Sequence, residues 1–105
     1  MFELRTYTLA SEDALQQYAD VHWARHLESL PQFGIRTHRV WREVGGDQPR
    51  LLTLVEYEPG ADPVTVGAAY MSSEQFRADM SGFDPAGIRG VESVFLTPAS
   101  SDPVQ

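Results

Sequence analysis

The stretch RLLTLVEYE, Arg50–Glu58, decides the fold. It lies between two turn-forming clusters, GGDQP and PGADP, and reads as a β-strand. A strand with one wet face alternates apolar and polar residues. Here Leu51, Val55 and Tyr57 hold one parity, while Leu52 and Leu54 hold the other. A strand that is apolar on both parities is buried on both faces.

The flanking segments complete the pattern. FELRTYTL (Phe2–Leu9) is a first strand, rich in aromatic and β-branched residues. ASEDALQQYADVHWARHLESLP is a helix, capped by Ser11, acidic in its first turn and stopped at Pro31. GIRTHRVWREV (Gly34–Val44) forms a hairpin with the Arg50–Glu58 strand. Asp62 and Pro63 open a second helical region, interrupted near Ser72, where Ser72 and Gln75 offer a new capping pattern. VESVFLTP (Val91–Pro98) is the last strand. The fold class is α+β, a ferredoxin-like βαββαβ unit with a four-stranded antiparallel sheet and both helical regions on one face. Residues 1–99 form the domain and residues 100–105 a disordered tail. The uncovered sheet face needs a partner, and a second copy of the same sheet supplies one, so a homodimer is expected.

Composition narrows the function. The chain has 105 residues, enough for one domain, and a net charge of −7. Such a charge disfavours nucleic acid and anionic membrane surfaces as partners. There is no cysteine, and all eight basic residues are arginines, so thiolate and Schiff-base chemistry are excluded. No apolar run approaches membrane-spanning length, and the N-terminus lacks the features of a secretion signal, so a cytoplasmic protein is expected.

DVHWARHLESL (Asp20–Leu30) carries two of the three histidines. At about 100° per residue, His22 and His26 fall in the middle of the apolar stripe with Leu15, Ala19, Trp23 and Leu30. They therefore face the sheet. Two readings stand: core histidines satisfied by backbone carbonyls, or an acid–base pair in a largely apolar pocket walled by Tyr18 and Trp23. A metal is not expected. The metalloprotease motif needs glutamate after the first histidine, and Trp23 occupies that place. On the first strand, Glu3, Arg5 and Tyr7 share a face. Glu3 and Arg5 are expected to form a structural ion pair or, alternatively, Arg5 is free to hold a substrate carbonyl or carboxylate with Tyr7 as donor. Strict alternation puts His38 with Arg36, Val40 and Arg42, and Trp41 with Ile35, Thr37 and Arg39. The expected substrate contacts are Tyr18, Trp23, Arg5, Tyr7, His38 and Tyr57. Glu74 and Asp79 read as solvated charges.

FELRTYTL, LVEYE and VESVFLTPA, in this order, resemble the NIPSNAP family of the dimeric α–β barrel superfamily, over about Phe2 to Ala99. The chain departs from that family in its second helical region, which has Phe76 and Arg77 but no tryptophan. The resemblance implies a homodimeric barrel with a cleft between helices and sheet. The wider superfamily includes cofactor-free monooxygenases, polyketide cyclases, haem-degrading enzymes and isomerases or lyases. Haem is not expected, because its axial histidine in such relatives lies on the second helix and no histidine follows His38. The functional expectation is a cofactor-free enzyme that acts on a small aromatic or polyketide-like molecule through histidine acid–base chemistry. A non-catalytic ligand-binding module and a purely structural dimer are the competing readings.

Overall fold

The computed structural model describes residues 1–104; the tail expected after Ala99 ends in Gln105, which lies outside them. Four strands, β1 (Phe2–Leu9), β2 (Ile35–Arg42), β3 (Arg50–Tyr57) and β4 (Ile88–Leu96), form one antiparallel sheet in the order β2-β3-β1-β4. Four α-helices lie on one face: α1 (Glu12–Gln17), α2 (Trp23–Ser29), α3 (Pro63–Met71) and α4 (Glu74–Asp79). Among the described residues, no helix is long and apolar enough to cross a membrane.

The first helical run is not uniform. One wide π turn, Tyr18–His22, joins α1 to α2, and the Trp23 amide donates to the Tyr18 carbonyl. A tight 3₁₀ turn, Leu30–Phe33, follows α2 with Pro31 near its start, so proline shapes the exit and does not stop the run. Gly34 closes the turn at a φ of 75°, a left-handed conformation that glycine adopts without strain. The Ser11 hydroxyl caps α1 by accepting the Ala14 amide, and the Asp62 carboxyl caps α3 by accepting the Val64 amide. The cap of α4 is Ser73, which accepts the Phe76 amide, and not Ser72. Ser72 instead turns its hydroxyl back to the Ala68 carbonyl.

The central strands β1 and β3 set the layers. Tyr7 and Leu9 of β1, with Leu51, Val55 and Tyr57 of β3, point at the helices and are buried. Leu15, Tyr18, Trp23 and Leu30 descend onto them from the helical side. On the opposite face, Phe2, Leu4, Leu52 and Leu54 are only half-buried, and Trp41, Val94 and Leu96 stand exposed.

Strict alternation fails in β2. The β2–β3 register shifts between Thr37 and Arg39, with Thr37 opposite Val55 and Arg39 opposite Leu54. The extra residue, His38, reverses the parity beyond it. Trp41 therefore pairs with Leu52 on the open face, while Val40 pairs with Thr53 on the helix-facing side. This corrects the grouping of Trp41 with Ile35 and Thr37.

Leu51 lies fully enclosed between sheet and helices, at 0% exposure. Leu51→Ala should lower unfolding stability by about 2–5 kcal/mol, as expected for emptying a packed aliphatic site. The measurement is the shift in denaturation midpoint at unchanged slope.

Candidate functional site

The helices and sheet enclose a cleft of about 460 Å³, a size suited to a small organic molecule. Its walls are mostly aromatic and aliphatic, including Tyr18, Trp23, Leu30, Phe76 and Met80. Two polar clusters reach it, one from the sheet and one from the helices.

The sheet cluster is built on β1. Glu3 and Arg5 project to the same face, where the Arg5 Nε lies 2.9 Å from Glu3 Oε1. Arg5 Nη2 donates to the Tyr57 hydroxyl at 2.9 Å, and Nη1 makes a longer contact of 3.4 Å to the Tyr7 hydroxyl. The Tyr57 hydroxyl donates to Glu3. Burial works against the Glu3 charge, yet hydrogen bonds from Ser93, Tyr57 and Arg5 hold its carboxyl below the usual glutamate value. Burial and the bond to Glu3 push the Tyr57 phenol up to about 12.

The helical cluster centres on Asp79, the last residue of α4. It is 5% exposed, so it is not the solvated charge its sequence context suggests. Ser29 donates to Asp79 Oδ1 at 3.0 Å, and the Tyr70 hydroxyl donates to Oδ2 at 2.5 Å. His26 Nδ1 lies 3.2 Å from Oδ2 and in close contact with the Tyr70 oxygen. One Nδ1–H, shared between these two acceptors, satisfies the geometry. Every partner then donates to Asp79, as an acceptor-only carboxylate requires. The arrangement fixes the proton on Nδ1 and leaves Nε2 of His26 without a partner among the described residues. Burial holds the His26 imidazole below its ordinary value, with Asp79 pulling the other way. Near neutral pH the ring is thus a neutral base of defined tautomer. Burial likewise raises the Tyr70 phenol, so it remains a donor.

Of the residues singled out in the sequence, Arg5, Tyr7, Tyr18, Trp23, His26 and Tyr57 meet at this cleft. Two do not. His22 is buried, but its Nδ1 binds the Asp79 carbonyl at 2.7 Å, and the Gln17 amide lies 3.2 Å from its Nε2. Its ring packs against Tyr18 and Phe83. Both ring nitrogens are occupied, and His22 closes the end of α4 and does not line the cleft. The helical stripe that carries both histidines is wide enough to meet two different neighbours: His22 the chain after α4, His26 the cleft. His38 sits in the β2 bulge, where its Nε2 is 2.7 Å from Glu56 and its ring meets Phe2 on the open face. The sheet separates it from the cleft. Neither Asp79, which reads as a solvated charge, nor Tyr70 is marked as a site residue by the sequence, since only the folding of α3 and α4 against α2 brings them to His26. Among the described residues, no three His, Asp or Glu side chains converge as a metal site.

No protein-family model matches the chain, and no curated protein does either. Solved structures do match. An uncharacterized NIPSNAP domain protein from Burkholderia xenovorans is 21% identical, with a TM-score of 0.73 and 97% of each chain covered. The fold is that of the NIPSNAP-domain proteins. A NIPSNAP family protein of unknown function from Agrobacterium tumefaciens is 17% identical, with a TM-score of 0.78, covering 99% of this chain and 92% of that one. A more distant likeness, at 14% identity and a TM-score of 0.52, is to an antibiotic biosynthesis monooxygenase, covering 93% of this chain and all of the other, 100%. The NIPSNAP architecture inferred from FELRTYTL, LVEYE and VESVFLTPA therefore extends along nearly the whole chain.

A depressed His26 carries a definite pH signature. The unfolded chain takes up a proton near pH 6.5, whereas the folded one resists it until lower pH. Between those two values the unfolded state binds more protons, so stability falls as pH drops below about 6.5. His26→Gln should flatten this part of the profile relative to wild type. Denaturant unfolding at steps between about pH 7.5 and 5.5 measures the difference.

Proposed function

We propose that this protein is a small cofactor-free enzyme in which His26 removes a proton from a small aromatic or polyketide-like substrate bound in the cleft. The observation that supports this most is the Asp79–His26 pair, which leaves a neutral Nε2 unpartnered beside an apolar cleft. A buried carboxylate bound to Nδ1–H fixes the imidazole tautomer and steadies the cation that forms when Nε2 accepts a proton. Tyr70 and Ser29 hold Asp79 in place, so the base does not depend on solvent for its orientation. Tyr18 and Trp23 give flat surfaces for an aromatic body. Cyclisation, isomerisation, elimination and deprotonation before oxygen attack all begin with such a proton transfer. Exchange of deuterium from solvent into the carbon next to the carbonyl of small aryl ketones tests the reading by NMR. Wild type should catalyse exchange with some members of a panel, and His26→Ala should reduce the rate about 10²–10⁴-fold. Binding of the same compounds without any exchange would favour a non-catalytic binding module.

The working form we propose is a cytoplasmic homodimer, joined through the open sheet face. Trp41, Val94 and Leu96 are 44%, 55% and 41% exposed there, beside the half-buried Leu52 and Leu54. A contiguous apolar sheet face of this kind calls for a cover, and a second copy provides a matching surface. Light scattering should give twice the 11.7 kDa chain mass. Val94→Glu should give the single-chain mass with the fold retained; a wild-type monomer at micromolar concentration would refute the dimer.

A further inference from the structure

The geometry points to an uncharged, enolisable carbonyl compound as the ligand of the cleft, with the oxyanion formed on deprotonation received by Arg5. This builds on His26 as the base and assigns the opposite pole. A guanidinium has five N–H donors. Arg5 Nε faces Glu3 as an ion pair, Nη2 donates one N–H to Tyr57 and Nη1 one to Tyr7, so each terminal nitrogen keeps one N–H without a partner among the described residues. Arg5 lines the same cleft as His26 with only 16% of its side chain exposed, so a ligand in the cleft can meet both residues.

Charge then decides between ligand classes. The Arg5 cation is already matched by the Glu3 carboxylate 2.9 Å away, so the pole as a whole is close to neutral. A carboxylate ligand would bring an extra, uncompensated negative charge into a largely apolar cleft, which is costly. A ketone or β-dicarbonyl brings none. It accepts the two free N–H groups as a neutral carbonyl, and those bonds strengthen as charge moves onto its oxygen. In that step the C–H bond next to the carbonyl breaks and its proton goes to His26 Nε2. The electron pair passes through the carbonyl carbon to the oxygen at Arg5. The new imidazolium faces Asp79, and because the proton stays in the cleft the step adds no net charge to it, as a carboxylate ligand would. Tyr57 cannot replace Arg5 as donor, because its hydroxyl proton is committed to Glu3.

Two probes test the assignment in the full chain at neutral pH. Benzoylacetone is an uncharged aryl β-diketone whose enolate absorbs at longer wavelength than its neutral forms. Benzoylpropionate is an aryl ketone of similar size that carries a carboxylate. Wild type should bind benzoylacetone more tightly, by about tenfold or more, and show the enolate band where free benzoylacetone is undissociated. Arg5→Gln should cut the enolate fraction about tenfold or more. Since that change strands Glu3, the double variant Glu3→Gln with Arg5→Gln removes both buried charges together and should show the same loss. Tighter binding of benzoylpropionate, an enolate fraction unchanged in both Arg5 variants, or no uptake of either probe would overturn the inference. His26→Gln separates the two readings. Loss of the enolate in the Arg5 variants but not in His26→Gln supports Arg5 as the oxyanion partner and removes His26 as the base. Loss in His26→Gln alone keeps the base and removes Arg5.

Discussion

The helical layer depends on one residue, Asp79. Its side chain collects Ser29, His26 and Tyr70, and its backbone carbonyl takes His22 at 2.7 Å and the Arg25 guanidinium at 3.1 Å. The last carbonyls of a helix have no partners within it and carry partial negative charge. Arg25 and His22 meet that need at the end of α4, which ties α2 to α4. The same residue thus joins the two helical regions and sets the ring of His26. A buried, unpaired carboxylate would be costly, so the three side chains around the Asp79 carboxylate are constrained as a group.

Much of the architecture was legible because local rules agree with the global fold. Strand composition, the Ser11 and Asp62 caps and the apolar stripe of the first helical run all point to one arrangement. The wheel placed His26 on the inner face, where it meets the cleft. It also placed His22 there, and could not show that the chain after α4 would claim that ring. Helical periodicity reports depth of burial, not which neighbour arrives. Asp79 lay beyond reach for the same reason, since two of its donors, Ser29 and His26, come from a helix 50 or more residues earlier in the chain. The β2 bulge defeated alternation at His38, because a period of two has no way to signal one inserted residue.

The cleft places unlike electrostatic poles on different layers. The sheet pole is an ion pair bound by tyrosines, and the helical pole is an imidazole held by a carboxylate. Each layer is rigid for its own reason: β1 is paired on both sides, and α2 is fastened through Asp79. Fixed dipoles and charges of this sort need little reorganisation when charge moves between them.

The bulge in β2 has a consequence for how molecules of this protein meet. β2 lies at the rim of the sheet, where one row of backbone amides and carbonyls has no neighbouring strand. Such a rim invites uncontrolled growth by addition of strands from other chains. The irregular spacing at His38 spoils the template midway, and the arginines along the strand are engaged at both ends, Arg36 with Glu56 and Arg42 with Glu12. Two such rims do not match in register. Lateral growth into fibrils along β2 is discouraged by that break in the ladder.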